Sequence, residues 1–338
     1  MKINNVVREI GSEFWSVELS EKDNSIFLYN FSWYLSGRNA LKAIISDIKR
    51  KIKFKSVAMP SWCCESMIKP FIDFGIEVVF YPVLLNNGKL EQDLSDVDKQ
   101  SVLFLMDYFG YTTGCSYNFN GPIIRDVTHS IFSKKYSDAD YYFGSLRKWS
   151  GFLTGGFAQG VYDNDIKSTN IEYVTARKNA MFQKQEYING LRKDKGFLQT
   201  FACAEGMLDD DKIFSADSND VLLAKKLDVE HIKKKRRENA RYLMEGLSDI
   251  VLFDKLGEND CPLFVPILIP EQKRDLLRSF LTENKIYCPI HWPISKYHNL
   301  SLQEKNIYEQ EISLICDQRY GLEEMNKIVK MVKKFLKE

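Results

Sequence analysis

Short apolar runs recur through the first two thirds of the chain, and polar segments separate them. The clearest of these runs are "SVAMP", "EVVFYPV", "SVLFLMD" and "PIIRD". Compact runs of apolar and β-branched residues are typical of strands that are buried in a parallel sheet. The pattern therefore predicts several short, buried strands in this part of the protein.

Amphipathic segments lie between these runs. "SGRNALKAIISDIKRKI" begins with Ser36, a suitable helix N-cap, and continues with apolar residues at helical spacing. "CESMIKPFIDFG" predicts a second helix that ends at Gly75. Strands that alternate with helices predict an α/β domain with a mainly parallel central sheet.

The pattern changes near residue 219. "NDVLLAKKLDVEHIKKKRRENARYLMEGL" predicts one long helix, and "LFVPILIP" after it predicts a strand. Two further helices are predicted for "RDLLRSFLTENKI" and "GLEEMNKIVKMVKKFLKE". We interpret this part as a smaller α+β domain, hinged to the first by the long helix. The predicted boundaries are 1–225 for the large domain and 226–338 for the small one.

Composition narrows the class of protein. The 338 residues include 47 basic and 46 acidic side chains, which gives no general electrostatic reason to bind nucleic acid or an anionic membrane. The basic segment "HIKKKRRENARY" is accordingly interpreted as a solvated helix face, with a site for a diphosphate as the lesser alternative. The apolar runs are too short to span a bilayer, and the first residues lack the apolar core of a signal peptide. We expect a soluble, cytoplasmic protein.

The cysteines give no sign of a metal or disulfide framework. There are seven, and no pair has CxxC spacing. Zinc sites need cysteines at regular spacing, and disulfide-rich folds need an even number of cysteines close together in the sequence. We expect reduced thiols in the core and no metal site.

Two aspartates follow predicted strands directly. Asp107 ends "SVLFLMD" and Asp126 ends "PIIRD", where the carboxyl ends of parallel strands gather ligands. His129 follows Asp126 by three residues. Asp126 could pair with a protonated ring nitrogen while His129 donates to a neighbouring oxygen. Alternatively, Asp126 caps the next helix and His129 packs inside it.

A possible anion site lies at the start of the first helix. Ser36, Gly37 and Arg38 form a turn whose backbone N–H groups and helix dipole would attract a phosphate. The alternative is an ordinary capped helix.

One lysine lies in an unusual setting. Lys148 is framed by Arg147 and Trp149 and precedes the pair Gly155-Gly156. A lysine amine forms Schiff bases when neighbours lower its pKa, although such a pair of basic residues is usually solvated surface. A phosphate site, a partner for a pyridine nitrogen and a Schiff-base lysine are together what pyridoxal 5′-phosphate (PLP) requires.

The sequence resembles the DegT-like sugar aminotransferases, which belong to the fold-type I PLP-dependent enzymes. The likeness extends over nearly the whole chain. The stretches that carry it are "SGRNALKAII", "MPSWCCESMIKPFIDFGIEVVFYPV", "VLFLMDYFGY", "IIRDVTHSIFS", "GSLRKWSGFLTGG", "NKIYCPIHWP" and "ISLICDQRYGLEEM". It implies an α/β fold of the fold-type I class, with a mainly parallel sheet and a smaller C-terminal α+β domain.

The resemblance also implies roles for individual residues. Those implied to contact PLP are Ser36, Gly37, Arg38 and Ser145 at the phosphate, Asp126 at the pyridine nitrogen, His129 at the ring hydroxyl and Lys148 in the Schiff base. Trp62 is expected to stack on the ring, with Tyr108 or Cys64 as alternatives. His291 and Arg319 are expected near the substrate.

Two positions depart from the family pattern. Arg38 stands where relatives have threonine, so a guanidinium would replace a hydroxyl at the phosphate. Phe143 occupies the position five residues before the lysine, where the better-known relatives carry the phosphate serine; Ser145 lies three residues before it.

The implied activity is transfer of an amino group, commonly from glutamate, to a nucleotide-linked keto-sugar for surface polysaccharide synthesis, by a homodimer. Related dehydratases carry histidine in place of the lysine, so Lys148 favours transamination. Two alternatives remain open here. One is a binding or regulatory protein that keeps the fold without turnover, and the other is an aminotransferase for a non-sugar substrate.

Overall fold

The computed structural model describes residues 9–24, 26, 31–86, 89–112, 118–133, 138–161, 166–209 and 212–337. The strands in chain order are β1 (Ile10–Gly11), β2 (Ser32–Tyr34), β3 (Ser56–Pro60), β4 (Glu77–Tyr81), β5 (Val83–Asn86), β6 (Lys89–Gln92), β7 (Val102–Met106), β8 (Ile123–Asp126), β9 (Tyr141–Ser145), β10 (Gly156–Gln159), β11 (Val265–Leu268), β12 (Ile286–Tyr287) and β13 (Glu311–Leu314). The helices are α1 (Gly37–Lys51), α2 (Glu65–Asp73), α3 (Ile171–Ile188), α4 (Phe197–Gly206), α5 (Ser218–Lys225), α6 (Val229–Gly246), α7 (Glu271–Glu283), α8 (Leu302–Gln310) and α9 (Leu322–Lys337). Short 3-10 turns occupy Leu146–Lys148 and Met207–Asp209.

A seven-stranded sheet lies at the centre, in the order β2-β10-β9-β8-β7-β3-β4. The pairs from β9 to β4 are parallel, while β10 and β2 are antiparallel to their neighbours. Strands β7 and β8 are buried along their whole length, as expected for the middle of a sheet covered on both faces. The mainly parallel sheet confirms the predicted fold class.

Helix α1 shows how the sequence pattern becomes packing. The Ser36 side chain accepts the N–H of Asn39 at 3.3 Å, so the predicted N-cap is present. The apolar residues Leu41, Ile44, Ile45 and Ile48 are all at most 1% exposed. Their burial fixes the helix against the sheet, with its first turn beside the end of β9.

The C-terminal part contains the antiparallel pair β11-β13 and helices α6 to α9. Strand β1, from the beginning of the chain, pairs with β12 in parallel. The N-terminal segment therefore contacts the C-terminal part. The predicted boundary at residue 225 coincides with the end of α5 and stays a prediction.

The predicted long helix at 219–247 is wrong in one respect, because it is two helices. Asp228 caps α6 by accepting the N–H of His231 at 3.0 Å, and Leu227 just before it is fully buried. Helical spacing of apolar residues continues across the break, so the periodicity conceals it. Similarly, "EVVFYPV" is divided at Pro82, which has no N–H to give to a strand ladder.

Two further findings concern the predictions from composition. The six described cysteines are free thiols, and four of them, Cys63, Cys261, Cys288 and Cys316, are buried. Among the residues that the structure describes, no helix has the length and apolar character needed to cross a membrane.

Candidate active site

A cavity of about 800 Å³ lies at the carboxyl end of the central sheet, beside the start of α1. It brings together nearly all the site residues that the sequence predicted. Those that line it are Ser36, Gly37, Arg38, Asp126, His129, Ser145, Lys148, His291 and Arg319. Residues far apart in sequence therefore meet at one place, as expected for ligand sites in open α/β sheets.

Lys148 is held by its backbone neighbours. It ends the 3-10 turn Leu146–Lys148 that follows β9, and the Trp149 N–H closes this turn on the Leu146 carbonyl at 2.9 Å. Leu146 and Trp149 are fully buried on either side, and the Trp149 indole N–H donates to the Thr128 carbonyl at 2.7 Å. The lysine side chain is exposed within the cavity. This packing fixes the root of the side chain and leaves the amine available.

Asp126 is a buried carboxylate that faces this cavity. It is 2% exposed, and its Oδ1 accepts the N–H of Thr128 at 2.7 Å. Burial raises the pKa of Asp126 to about 6. Residues 128–133 form turns, so the alternative in which Asp126 caps a helix does not apply. Asp107, at the end of β7, is instead paired with Arg125 at 2.7 Å.

His129 has a defined proton arrangement. Its Nδ1 accepts the N–H of Phe109 at 3.3 Å, and burial lowers its pKa to about 3. The neutral ring therefore carries its proton on Nε2, which can donate. Trp292 stacks on this ring, with centroids 5.7 Å apart, and also lines the cavity. Trp292 is not among the site residues that were predicted from the sequence.

The start of α1 and the end of β9 form another part of the cavity wall. An added Cβ on Gly37 would lie 3.5 Å from the Ser145 Cβ, so the two backbones are close neighbours. The first N–H groups of a helix have no acceptor within the helix. The wall thus offers backbone donors and the Ser145 hydroxyl to an anion. Phe143 also lines the cavity, as a buried side chain.

Arg38 and Arg147 share a carboxylate partner. Arg38 contacts Glu205 at 3.1 Å and Asp209 at 2.9 Å, while Arg147 contacts the other oxygen of Glu205 at 2.5 Å. Burial alone would raise the pKa of Glu205, but Arg147 and Arg38 lower it to about 2. Glu205 was not predicted from the sequence. Its role depends on α4 packing beside α1, and the sequence offers no local signal for that.

Trp62 does not line the cavity. It is fully buried, stacks on Tyr108 at 4.8 Å and donates its indole N–H to the His291 carbonyl at 2.6 Å. It therefore supports the cavity wall from behind, which does not fit the predicted stacking on a bound ring. Tyr108 is likewise fully buried, whereas Cys64, the other alternative, lies in the wall.

The two predicted substrate residues differ in their surroundings. Arg319 is paired with Asp317 through two contacts of 2.9 and 2.7 Å and donates to the Ser12 and Glu13 carbonyls at 3.1 Å each. It holds the N-terminal segment against the cavity. His291 is 4% exposed and its substrate contact stays a prediction.

The basic segment of α6 is only partly solvated. His231 and Lys234 are exposed, but Arg236 is 1% exposed and reaches the cavity. Its guanidinium lies over the Trp149 ring at 4.6 Å and donates to the Leu263 carbonyl at 2.9 Å. The interpretation of this segment as a solvated helix face is therefore wrong at Arg236.

Gly156 is needed for the backbone to pass behind the cavity. A Cβ at this position would lie 2.1 Å from the Ser36 carbonyl oxygen, a clash between two backbones. We expect Gly156→Ala to lower the free energy of unfolding by about 3 kcal/mol, measured by chemical denaturation. Gly206→Ala is the matched control, because nothing lies within 4 Å of its Cβ position. Equal stability of the two variants would contradict the close approach.

Comparisons with known proteins support the fold. Models of protein families give no match, and neither do curated proteins. Among solved structures, Spr1654 of Streptococcus pneumoniae, assigned as a sugar aminotransferase and solved in its PLP form, matches with a TM-score of 0.66 at 15% identity, over 97% of this chain and 98% of that one.

Two further structures give similar values. Helicobacter pylori PseC, an aminotransferase of pseudoaminic acid biosynthesis, has a TM-score of 0.62 at 15% identity, with 96% and 99% of the two chains covered. Micromonospora echinospora CalS13, a sugar aminotransferase, has a TM-score of 0.61 at 11% identity, with 94% and 98% covered. The chain therefore has the fold of the sugar aminotransferases over nearly its whole length.

Proposed function

We propose that the protein is a PLP-dependent aminotransferase of the DegT type that transfers an amino group from glutamate to a nucleotide-linked keto-sugar. The observation that carries this proposal is the meeting of Lys148, Asp126 and His129 in one cavity, beside the first turn of α1. A shared fold alone does not determine a reaction, so the chemistry of these residues decides it.

The residues present fit this cofactor. Asp126 is a buried acid without a paired cation among its described hydrogen bonds and salt bridges, which suits a protonated pyridine nitrogen. His129 can donate from Nε2 to a ring oxygen. The first turn of α1 and Ser145 suit a phosphate. The Lys148 side chain forms no hydrogen bond or salt bridge with the other described residues, so its amine is available for a Schiff base.

The residues of this protein would have separate roles in the reaction. When bound, the cofactor supplies an electron sink for the bond broken at the substrate Cα. Asp126 holds a proton on the pyridine nitrogen, because its carboxylate is ionised above its pKa of about 6. Lys148 takes the proton from the substrate carbon and returns it elsewhere as a general acid.

An anionic, extended acceptor is supported by the charges around the cavity. Arg236, Arg278 and Lys195 line it in addition to Arg38 and Arg147. Glu205 and Glu9 offset part of this charge, since Glu205 pairs with Arg38 and Arg147 and Glu9 pairs with Lys195, but basic side chains still outnumber acidic ones in the cavity lining. That excess of positive charge would attract a diphosphate, which supports the nucleotide-linked sugar. A place in surface polysaccharide synthesis and a cytoplasmic location follow from that substrate class and belong to the same proposal.

A homodimer is part of the proposal. Large apolar side chains are exposed on α3 and α4, with Ile171 at 68%, Phe182 at 60% and Leu198 at 51%. Apolar surface of this kind is typical of a face that another subunit covers.

The direct test is spectroscopic. Purified protein incubated with PLP should become yellow, its spectrum should change when glutamate is added, and borohydride should fix the cofactor on Lys148, as seen by peptide mass spectrometry. Nucleotide-linked keto-sugars and 2-oxo acids are then compared as acceptors. A colourless protein without an adduct would contradict PLP binding. A yellow protein that reacts with 2-oxo acids alone would favour a non-sugar substrate.

A further inference from the structure

Three buried polar side chains form a chain from the cavity wall into the β11-β13 pair. His291 Nδ1 lies 2.9 Å from the Ser313 hydroxyl, and that hydroxyl is hydrogen-bonded to Glu311. The second carboxyl oxygen of Glu311 accepts the backbone N–H of His291 at 2.6 Å. His291 is 4% exposed, and Ser313 and Glu311 are fully buried. The amino-transfer chemistry described above does not use Ser313 or Glu311.

A buried carboxyl group without a cation needs an explanation, because burial is unfavourable to its charge. No salt bridge to Glu311 occurs among the described residues. The charged group that faces it is Arg274 of α7, whose guanidinium donates to the backbone carbonyls of Tyr308 at 2.9 Å and Glu311 at 3.1 Å. The Cys288 thiol also lies near it, and burial raises the pKa of that thiol to about 12.

The hydrogen bonds that join Glu311, Ser313 and His291 allow two arrangements of their protons. With Glu311 ionised, Ser313 donates to the carboxylate, so its oxygen accepts from His291 and the ring proton is on Nδ1. With Glu311 protonated, the carboxyl donates to Ser313 and Ser313 donates to His291, so the ring proton is on Nε2. Nε2 has no hydrogen-bond partner among the described residues and belongs to the side chain that lines the cavity.

We propose that Glu311, acting through Ser313, sets which ring nitrogen of His291 carries the proton and thereby whether His291 offers the substrate a donor or an acceptor. The part that concerns the substrate rests on the proposed function. His291 is near the reacting region, since it and Lys148 line the same cavity and its ring centroid is 5.5 Å from that of His129. Glu311 and Ser313 are positioning residues in this arrangement.

The change of state should fall near neutral pH. Burial raises the pKa of Glu311 to about 8, against the opposing effects of Ser313, the His291 N–H and Arg274. Burial also lowers the pKa of His291 well below its ordinary value, so the ring is neutral in both states. Below about pH 8 the ring proton is on Nε2, and above it the proton moves to Nδ1.

Nitrogen NMR of histidine side chains tests this in the full chain without added PLP. The chain has four histidines, so the spectrum is simple, and a His291→Gln variant assigns the signal. We expect the protonated nitrogen of His291 to change from Nε2 to Nδ1 with a midpoint near pH 8. His298 is an internal control, because its Nδ1 accepts the N–H of Ser295 at 3.0 Å and it is not part of the hydrogen-bonded series of His291, Ser313 and Glu311.

Two variants separate the contributions. In Glu311→Gln, the amide oxygen must accept the His291 N–H, so the NH₂ donates to Ser313 and the ring proton stays on Nε2 at every pH. In Ser313→Ala, the tautomer no longer follows Glu311. A wild-type tautomer that stays constant across pH 8 would overturn the proposal even if both variants fail to fold. A switch that persists in folded Glu311→Gln would also overturn it.

These outcomes are independent of the amino-transfer proposal, because the NMR measurement needs no cofactor or substrate. A tautomer switch in a protein that never binds PLP would leave the proton chain in place and remove its link to the reaction. If amino transfer occurs, the wild-type KM for the acceptor should change near pH 8 and that of Glu311→Gln should not. A common pH dependence in both proteins would remove the substrate part of the inference.

Discussion

Replacing Lys148 with alanine is expected to abolish amino transfer, with a fall in kcat of at least about 10⁴-fold. The alanine can neither form a Schiff base nor carry the proton between carbon atoms. The measurement is single-turnover conversion of the PLP form by glutamate, followed by absorbance. Borohydride should leave no cofactor attached to the variant. Full activity in Lys148→Ala would contradict the proposed function.

The fold should be unaffected, which makes the result interpretable. The Lys148 side chain forms no hydrogen bond or salt bridge with the other described residues, and Leu146 and Trp149 hold the turn. Lys148→Arg keeps the positive charge but lacks a suitable amine, so it should be equally inactive. Lys330→Ala, on the exposed face of α9, is the matched control and should retain activity.

The central sheet could be predicted from the sequence because its strands are short apolar runs. Strands β7 and β8 are buried on both faces; that burial is visible in β7 as an unbroken apolar run and in β8 as Ile123 and Ile124 before two charged residues. Strands β2 and β10 could not be predicted in this way. They are three and four residues long and exist because β2 pairs with β10 and β10 pairs with β9. Pairing between distant segments leaves no local pattern.

The candidate site also contains residues that could be predicted from the sequence and residues that could not. Asp126 and Lys148 could be found because each follows a strand or a distinctive turn, and the order of both with Ser36 matches a cofactor's needs. Glu205 and Glu311 could not be found, since each acquires a role only through packing against distant segments. Trp62 was predicted to stack on the cofactor ring, but its side chain is buried in the core.

Replacing Asp126 with asparagine is expected to reduce amino transfer about 10²–10³-fold, because a buried charge partner is worth roughly 3–5 kcal/mol. The amide keeps an acceptor for the Thr128 N–H at nearly the same shape, so the backbone around it is retained. PLP should still attach to Lys148. The measurement is the rate of the half-reaction with glutamate, together with the borohydride adduct. A normal rate would show that Asp126 does not hold the ring nitrogen's proton.

The same substitution should stabilise the cofactor-free protein. Burial raises the pKa of Asp126 to about 6, from an ordinary value of 3.8, so the folded state binds the proton more tightly than the unfolded chain. Stability therefore falls as the pH rises from about 4 to about 6, and this loss persists at pH 7. Asp126→Asn removes that loss, which is at most about 3 kcal/mol.

Asp107→Asn is the matched control, and we expect it to change the free energy of unfolding in the opposite direction. Asp107 directly follows the neighbouring strand β7 and is also buried, but it is paired with Arg125 at 2.7 Å and accepts the Ser130 hydroxyl at 2.6 Å. Removing its charge leaves a buried guanidinium less compensated, so we expect a loss of about 3 kcal/mol in chemical denaturation. Asp126 lacks such a cation partner among the described salt bridges. Asp126 would then destabilise the cofactor-free protein and accelerate the reaction, so its role would be chemical and that of Asp107 structural. Similar changes in the free energy of unfolding in Asp126→Asn and Asp107→Asn would contradict this difference.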